Sequence, residues 1–155
     1  MKTKVTIGFP KPIKRVKTKK ALPKVKKTTL GKEKAKAWKA FSLWVRNRNA
    51  VEGMNECYTC GKIYSVKELQ AGHFIEGRTN SILFEEDILE CQCQKCNIWD
   101  KGNLTVYTFK KIKELGEDRV NELIQLKHQT RKYTIADYIE INAKYTKLLD
   151  QLSVI

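Results

Sequence analysis

Apolar side chains recur with a helical period near both ends of the folded part of this chain and lose that period in its middle. Trp38, Phe41, Trp44 and Val45 lie three or four residues apart, which predicts a helix over residues 31 to about 49 with one strongly apolar face. Residues 104–115 predict a second helix, ended by Gly116 as a candidate left-handed cap. A third follows over 117–127, with Val120, Leu123, Ile124 and Leu126 on its apolar side. The last begins near Thr134, a plausible N-cap, and runs through Tyr138, Ile139, Leu148 and Leu152. Tyr138 and Tyr145 stand seven residues apart on one face, a spacing that would let this helix pair with a second copy in a homodimer. Between the helices, 62–69 reads as a short connection and 69–75 as a strand. Residues 77–80 read as a polar loop, and 82–89 as a second strand interrupted by Glu85, Glu86 and Asp87. Helices flanking a small stranded centre make an α+β chain.

Residues 1–30 have no period at all. They form a separate basic arm, expected to be disordered when free, ahead of one folded domain over 31–155. Charge sharpens that division. The net charge is +14, and residues 1–40 alone hold fifteen Lys/Arg against one acid, Glu33. The sixteen cations and sixteen acids of the remainder cancel. Lys14, Arg15, Lys17, Lys19, Lys20, Lys24, Lys26 and Lys27 are therefore candidate phosphate contacts, since clustered cations gain affinity by releasing counterions from nucleic acid. A flexible arm of this length reaches roughly 30 Å, about one turn of duplex. Arg46 and Arg48 close the first predicted helix. They suit the negative end of its dipole, and they could equally touch phosphate.

The five cysteines lack an apolar leader before them, which points to a reducing setting in which they bind metal and form no disulfides. No run of about eighteen apolar residues crosses a membrane. Cys57 and Cys60 form one Cys-x-x-Cys knuckle and Cys93 and Cys96 a second, the spacing of a four-thiolate zinc site. Cys91 offers a poorer one-residue bite and reads as a spare buried thiol. Four thiolates leave zinc no open position, so this ion is expected to hold structure and not to activate water. His73 sits inside the loop that the metal closes, which makes it the candidate for chemistry.

These residues carry a resemblance. A Cys-x-x-Cys, a strand bearing His, and a closing Cys-x-x-Cys-Asn look like the HNH (ββα-metal, treble-clef-like) nucleases. Cys57-Tyr-Thr-Cys60-Gly61, Leu69-Gln-Ala-Gly-His73-Phe, Phe84-Glu-Glu-Asp87, Gln92-Cys93-x-x-Cys96-Asn97 and Gly102-Asn103 resemble more closely the NinG/Rap recombination proteins of lambdoid phages. The resemblance runs from about Trp38 to Leu126. It implies a structure-specific DNA endonuclease that cuts branched recombination intermediates, Holliday junctions and D-loops, alongside other recombination proteins in the bacterial cytoplasm.

His73 is then the general base, and Asn97 takes the place of the metal-binding final residue. Mg²⁺ or Mn²⁺ is the catalytic ion. The middle Asn of the motif falls at Ile88, beside Asp87, which is the candidate third catalytic residue. Gly72 stands where many HNH enzymes have Asp or His, so the missing ligand would come from elsewhere, with Glu76, Asp87 and Asn103 as candidates. Arg78, next to the base in sequence, is a candidate DNA contact. The alternatives are a non-catalytic zinc-dependent DNA-binding protein, in which His73 is structural, and an HNH endonuclease that reads sequence.

Overall fold

The structure is a computed structural model that describes residues 28–152. The eight lysines and arginines assigned to the arm, Lys14 to Lys27, lie outside those residues. Helix α1 spans Leu30–Asn47, with Thr29 as its N-cap: the Thr29 hydroxyl accepts from the Lys32 amide. Two antiparallel hairpins follow. The first pairs β1 (Met54–Glu56) with β2 (Ile63–Ser65), so the segment expected to be a plain connection contains a strand. The second pairs β3 (Leu69–His73) with β4 (Leu89–Cys93), in a register that sets Gln70 opposite Gln92, Gly72 opposite Glu90 and His73 opposite Leu89. Helices α2 (Leu104–Leu115), α3 (Glu117–Leu126) and α4 (Ile135–Leu152) complete the fold.

The second strand lies further along the chain than the sequence pattern predicted. Residues 82 and 83 are buried without being extended, and a 3₁₀ turn over Glu86–Ile88 leads into β4. The acidic run explains the offset. Arg119 on α3 holds Glu85 and Asp87, while Lys144 and the Tyr145 hydroxyl on α4 hold Glu86, each at 2.7 Å. The three carboxylates are drawn to two helices across a turn, and the ladder begins only after them. Gly116 also differs from a left-handed cap. Its φ is +83° but its ψ is 158°, a region open only to glycine, and its amide still closes α2 on Ile112.

The main core is aromatic and sits between α1, α4 and the second hairpin. Phe41 packs 4.6 Å from Tyr145, and Trp44 packs 5.1 Å from the same ring. Tyr138 and Tyr145 are 1% and 3% exposed, so the face proposed for a second copy is covered by α1 and by Phe84 within the chain.

Arg46 and Arg48 are corrected in the same way. Arg46 donates to the carbonyls of Ser42, Val66 and Leu69. Arg48 donates to the Leu89 carbonyl and pairs with Glu90 at 2.6 Å. Glu90 also receives the buried Lys111 of α2 at 2.7 Å, so one carboxylate ties the hairpin to a helix on each side. Both arginines are turned into the protein, because the β-hairpin carbonyls and Glu90 offer them fixed acceptors that solvent does not.

Candidate metal centre and the histidine end of the hairpin

The β3–β4 hairpin has two ends with different chemistry. At one end, Cys57 and Cys60 from the first knuckle meet Cys93 at the end of β4 and Cys96 in the following π-turn (Lys95–Trp99). The four sulfurs all lie within 4.8 Å of one another, and Cys60 Sγ is 4.0 Å from Cys93 Sγ. A tetrahedron with zinc–sulfur arms near 2.3 Å has edges of about 3.8 Å, so the cluster fits a structural metal such as zinc.

Burial opposes the Cys57 thiolate, yet the amides of Cys60 and Cys93 and the Thr59 hydroxyl outweigh it and bring the thiol down to about 6. Desolvation pushes Cys96 up to about 12. Cys57 is thus already prepared as an anion, while Cys60 and Cys96, both raised by desolvation, need a cation to ionise beside it. Cys91 is excluded from the cluster. Its Sγ donates to the Glu56 carbonyl at 3.1 Å, and burial raises it to about 11.

At the other end stands His73, the last residue of β3. Its ring stacks on Trp38 of α1 at 5.7 Å between centroids and 12° between planes. Arg78 lies over the same indole at 4.3 Å, so the guanidinium, the indole and the imidazole are gathered round Trp38. The imidazole Nε2 is buried with no partner in the protein. Burial, then the nearby Arg78 cation, lower its pKa to about 4, which keeps it neutral at physiological pH.

On the opposite face of the strand the polar groups converge on Gly72. Asn97, in the π-turn, donates its Nδ2 to Gln70 Oε1 at 2.6 Å. Gln92 is fully buried and donates its Nε2 to the Gly102 carbonyl at 2.8 Å and to Thr59 Oγ1 at 3.1 Å. Tyr107 of α2, also fully buried, donates its hydroxyl to the Gly72 carbonyl.

Of the residues proposed from sequence, His73 and Asn97 are held by adjacent parts of this end. Asp87 is not brought to it: Arg119 Nε and Nη2 hold its carboxylate at 3.1 and 2.8 Å. Among the described residues no hydrogen bond or ion pair joins Asp87 to His73. Arg78 is exposed and beside the histidine; Arg46 and Arg48 serve the hairpin. Sequence reading missed Gln92 and the stacking role of Trp38. The one available signal for Gln92 was a polar residue between two cysteines of a buried strand.

The fold and site define an α+β chain whose central hairpin is closed by four cysteines and flanked by helices. It belongs to the family described as Bacteriophage Lambda NinG protein, which matches residues 10–154. It is similar to the ninG proteins of Escherichia phage 933W and Escherichia phage lambda, each 31% identical over 97 residues, and to that of Salmonella phage P22, 30% identical over the same length. Each match covers 62% of this chain and 47% of the relative, so the chain spans about half the length of the curated relatives it matches. No solved structure matches it. Among the described residues, no helix is long and apolar enough to cross a membrane.

Proposed function

We propose that this protein is an HNH-like, metal-dependent endonuclease that cuts branched recombination intermediates such as Holliday junctions and D-loops. The observation that carries the reading is His73 Nε2, a buried imidazole nitrogen without a partner, on the strand paired with the one that ends in Cys93. A general base must be unprotonated and within reach of water, and the neutral form is the one that burial maintains here. In the reaction His73 takes a proton from water as the water oxygen attacks phosphorus and the bond to the 3′ oxygen breaks. Bound Mg²⁺ or Mn²⁺ supplies charge stabilisation for the phosphate and the departing oxygen. Asn97, an amide on the turn beside the strand, is a residue able to hold that ion through its oxygen. The four-cysteine metal is the structural one.

Access to His73 is governed by Trp38 and Arg78. The Arg78–Trp38 contact contributes about 0.5–1 kcal/mol at an exposed position, little enough for a DNA phosphate to draw the guanidinium away. Together with the basic arm, Arg78 gives a junction more phosphates to meet than a single duplex offers. The ring's burial and its stacking on Trp38 also suit a second reading, in which His73 is structural and the protein binds DNA without cutting it.

His73→Ala separates the two readings. As an endonuclease, the variant binds a four-way junction within about twofold of the parent and loses roughly 10²–10⁴ of its cleavage rate, the range of a general base. Equal cutting by parent and variant would remove His73 from the chemistry.

A further inference from the structure

We infer that the side-chain amide oxygens of Gln92 and Asn97 form a hard-cation site at Gly72, one that takes Mg²⁺ or Mn²⁺. The inference deepens the nuclease reading and rests on it for the ion's purpose; the position comes from the geometry that follows.

Gln92 cannot be turned round. Its Nε2 meets the Gly102 carbonyl at 2.8 Å, and a carbonyl can only accept, so the amide nitrogen is fixed there and Oε1 faces the opposite way. That oxygen is buried and has no hydrogen-bond partner in the protein, on a residue with no exposure at all. An unpaired buried carbonyl carries the full penalty of lost solvation, and a fold keeps one where something else occupies it. Asn97 lies beside Gln92. Its Nδ2 is spent on Gln70 Oε1, which leaves Oδ1 turned away.

Both oxygens converge on Gly72. A Cβ built there would overlap Gln92 Oε1 and lie 2.9 Å from Asn97 Oδ1. Gly72 has ordinary backbone angles with no positive φ, so what glycine provides here is room. The position where a carboxylate or imidazole was missing from the sequence is the position into which Gln92 reaches. An oxygen from β4 thus stands where a side chain from β3 would have stood.

Two amide oxygens are hard donors of the kind that Mg²⁺ and Mn²⁺ take. They hold such an ion weakly alone and more tightly when a phosphate joins, which ties ion capture to DNA. By strand alternation His73 leaves β3 on the other face, so base and ion address the strand end from its two sides.

The test is Mn²⁺ titrated into the zinc-loaded, ¹⁵N-labelled full chain without DNA, read as paramagnetic broadening of assigned signals. The side-chain amide protons of Gln92 and Asn97 and the Gly72 amide should broaden first. Gln92→Leu should weaken Mn²⁺ binding roughly tenfold or more with zinc content unchanged. Gln92→Glu keeps the shape and adds charge, so it should bind Mn²⁺ more tightly than the parent; a purely structural glutamine predicts a less stable protein with no tightening. Broadening centred elsewhere, or none at millimolar Mn²⁺, means that a buried water satisfies Oε1 and overturns the site. Junction cleavage with Mn²⁺ affinity unmoved by Gln92→Leu would sink the site and leave the nuclease reading standing. Gln92-dependent Mn²⁺ binding without cleavage of any branched DNA would do the reverse.

Discussion

The two ends of the β3–β4 hairpin are built on opposite principles. At the cysteine end, side chains from two knuckles turn inward on one point, and the backbone amide of Cys93 donates to Cys57 Sγ at 3.3 Å. Little there is left to bind anything further. At the histidine end, Nε2 of His73 is buried without a partner beside one indole and one exposed arginine, and on the opposite face of the strand Oε1 of Gln92 is buried without one too. The cysteine end turns its four sulfurs onto one another, while His73 and Gln92 each leave a polar atom unpaired. A structural metal and the substrate site proposed here would need these different arrangements, and the strand pair has five residues in each strand.

Removing the metal from the cysteine end should have the largest effect. Apparent zinc binding energies in small domains are about 10–16 kcal/mol, comparable with or above the whole stability of a domain this size. Cys93→Ser, or a strong chelator, should abolish the cooperative thermal transition followed by circular dichroism. A sharp transition that survives would mean that the hairpin does not depend on its cluster.

Next comes the staple between the two ends. Arg48→Ala leaves Glu90 facing Lys111 alone and should cost about 3 kcal/mol in denaturant unfolding, the scale of a broken buried pair. Its salt dependence of DNA binding should stay that of the parent, because this arginine faces the protein.

The histidine end should reveal itself in acid. The folded state holds His73 near 4, while the unfolded chain protonates near 6.5. As pH falls from 6.5 to 4 the unfolded state gains a proton that the folded state refuses. Stability that is complete above 6.5 is therefore lost on the way down, by up to about 3 kcal/mol. His73→Gln removes this contribution, so the difference between parent and variant across that window isolates it from the cysteines. Parallel pH profiles would mean that His73 is not held neutral.

The smallest expected effect is at Arg78. Arg78→Ala should lower the slope of log affinity against log salt by about one, with stability nearly unchanged. An unaltered slope would leave that guanidinium to Trp38.

What was legible in the sequence follows from how local each signal is. The cysteine end could be read because a Cys-x-x-Cys knuckle carries its geometry in its own spacing, and α1 and α4 could be read from their apolar period. The second strand was misplaced because cysteine and glutamine, alternating as Cys91-Gln92-Cys93, hide the pattern of a buried strand, and because Arg119 and Lys144, which bind the acidic run, arrive from distant helices. For Arg46 and Arg48 the helix-end reading was local, and Arg46 does bond the Ser42 carbonyl of α1, but their other carbonyl partners lie 20 to 41 residues further on and left no local signal. The seven-residue spacing of Tyr138 and Tyr145 was read correctly as a contact face, but its partner is α1. At the histidine end, His73 and Asn97 stood out as residue types in a motif. The direction of the Gln92 amide did not, since only the tertiary position of Gly102 determines it.

The most direct measurement is incubation of the zinc-loaded protein with a fixed four-way junction and a matched linear duplex, in Mg²⁺, Mn²⁺ or EDTA. Cleavage of the junction, absent with EDTA and weak on the linear duplex, is the predicted result. Tight junction binding with no cleavage in either metal would contradict it and leave a metal-stapled DNA-binding protein in which His73 is a buried structural residue.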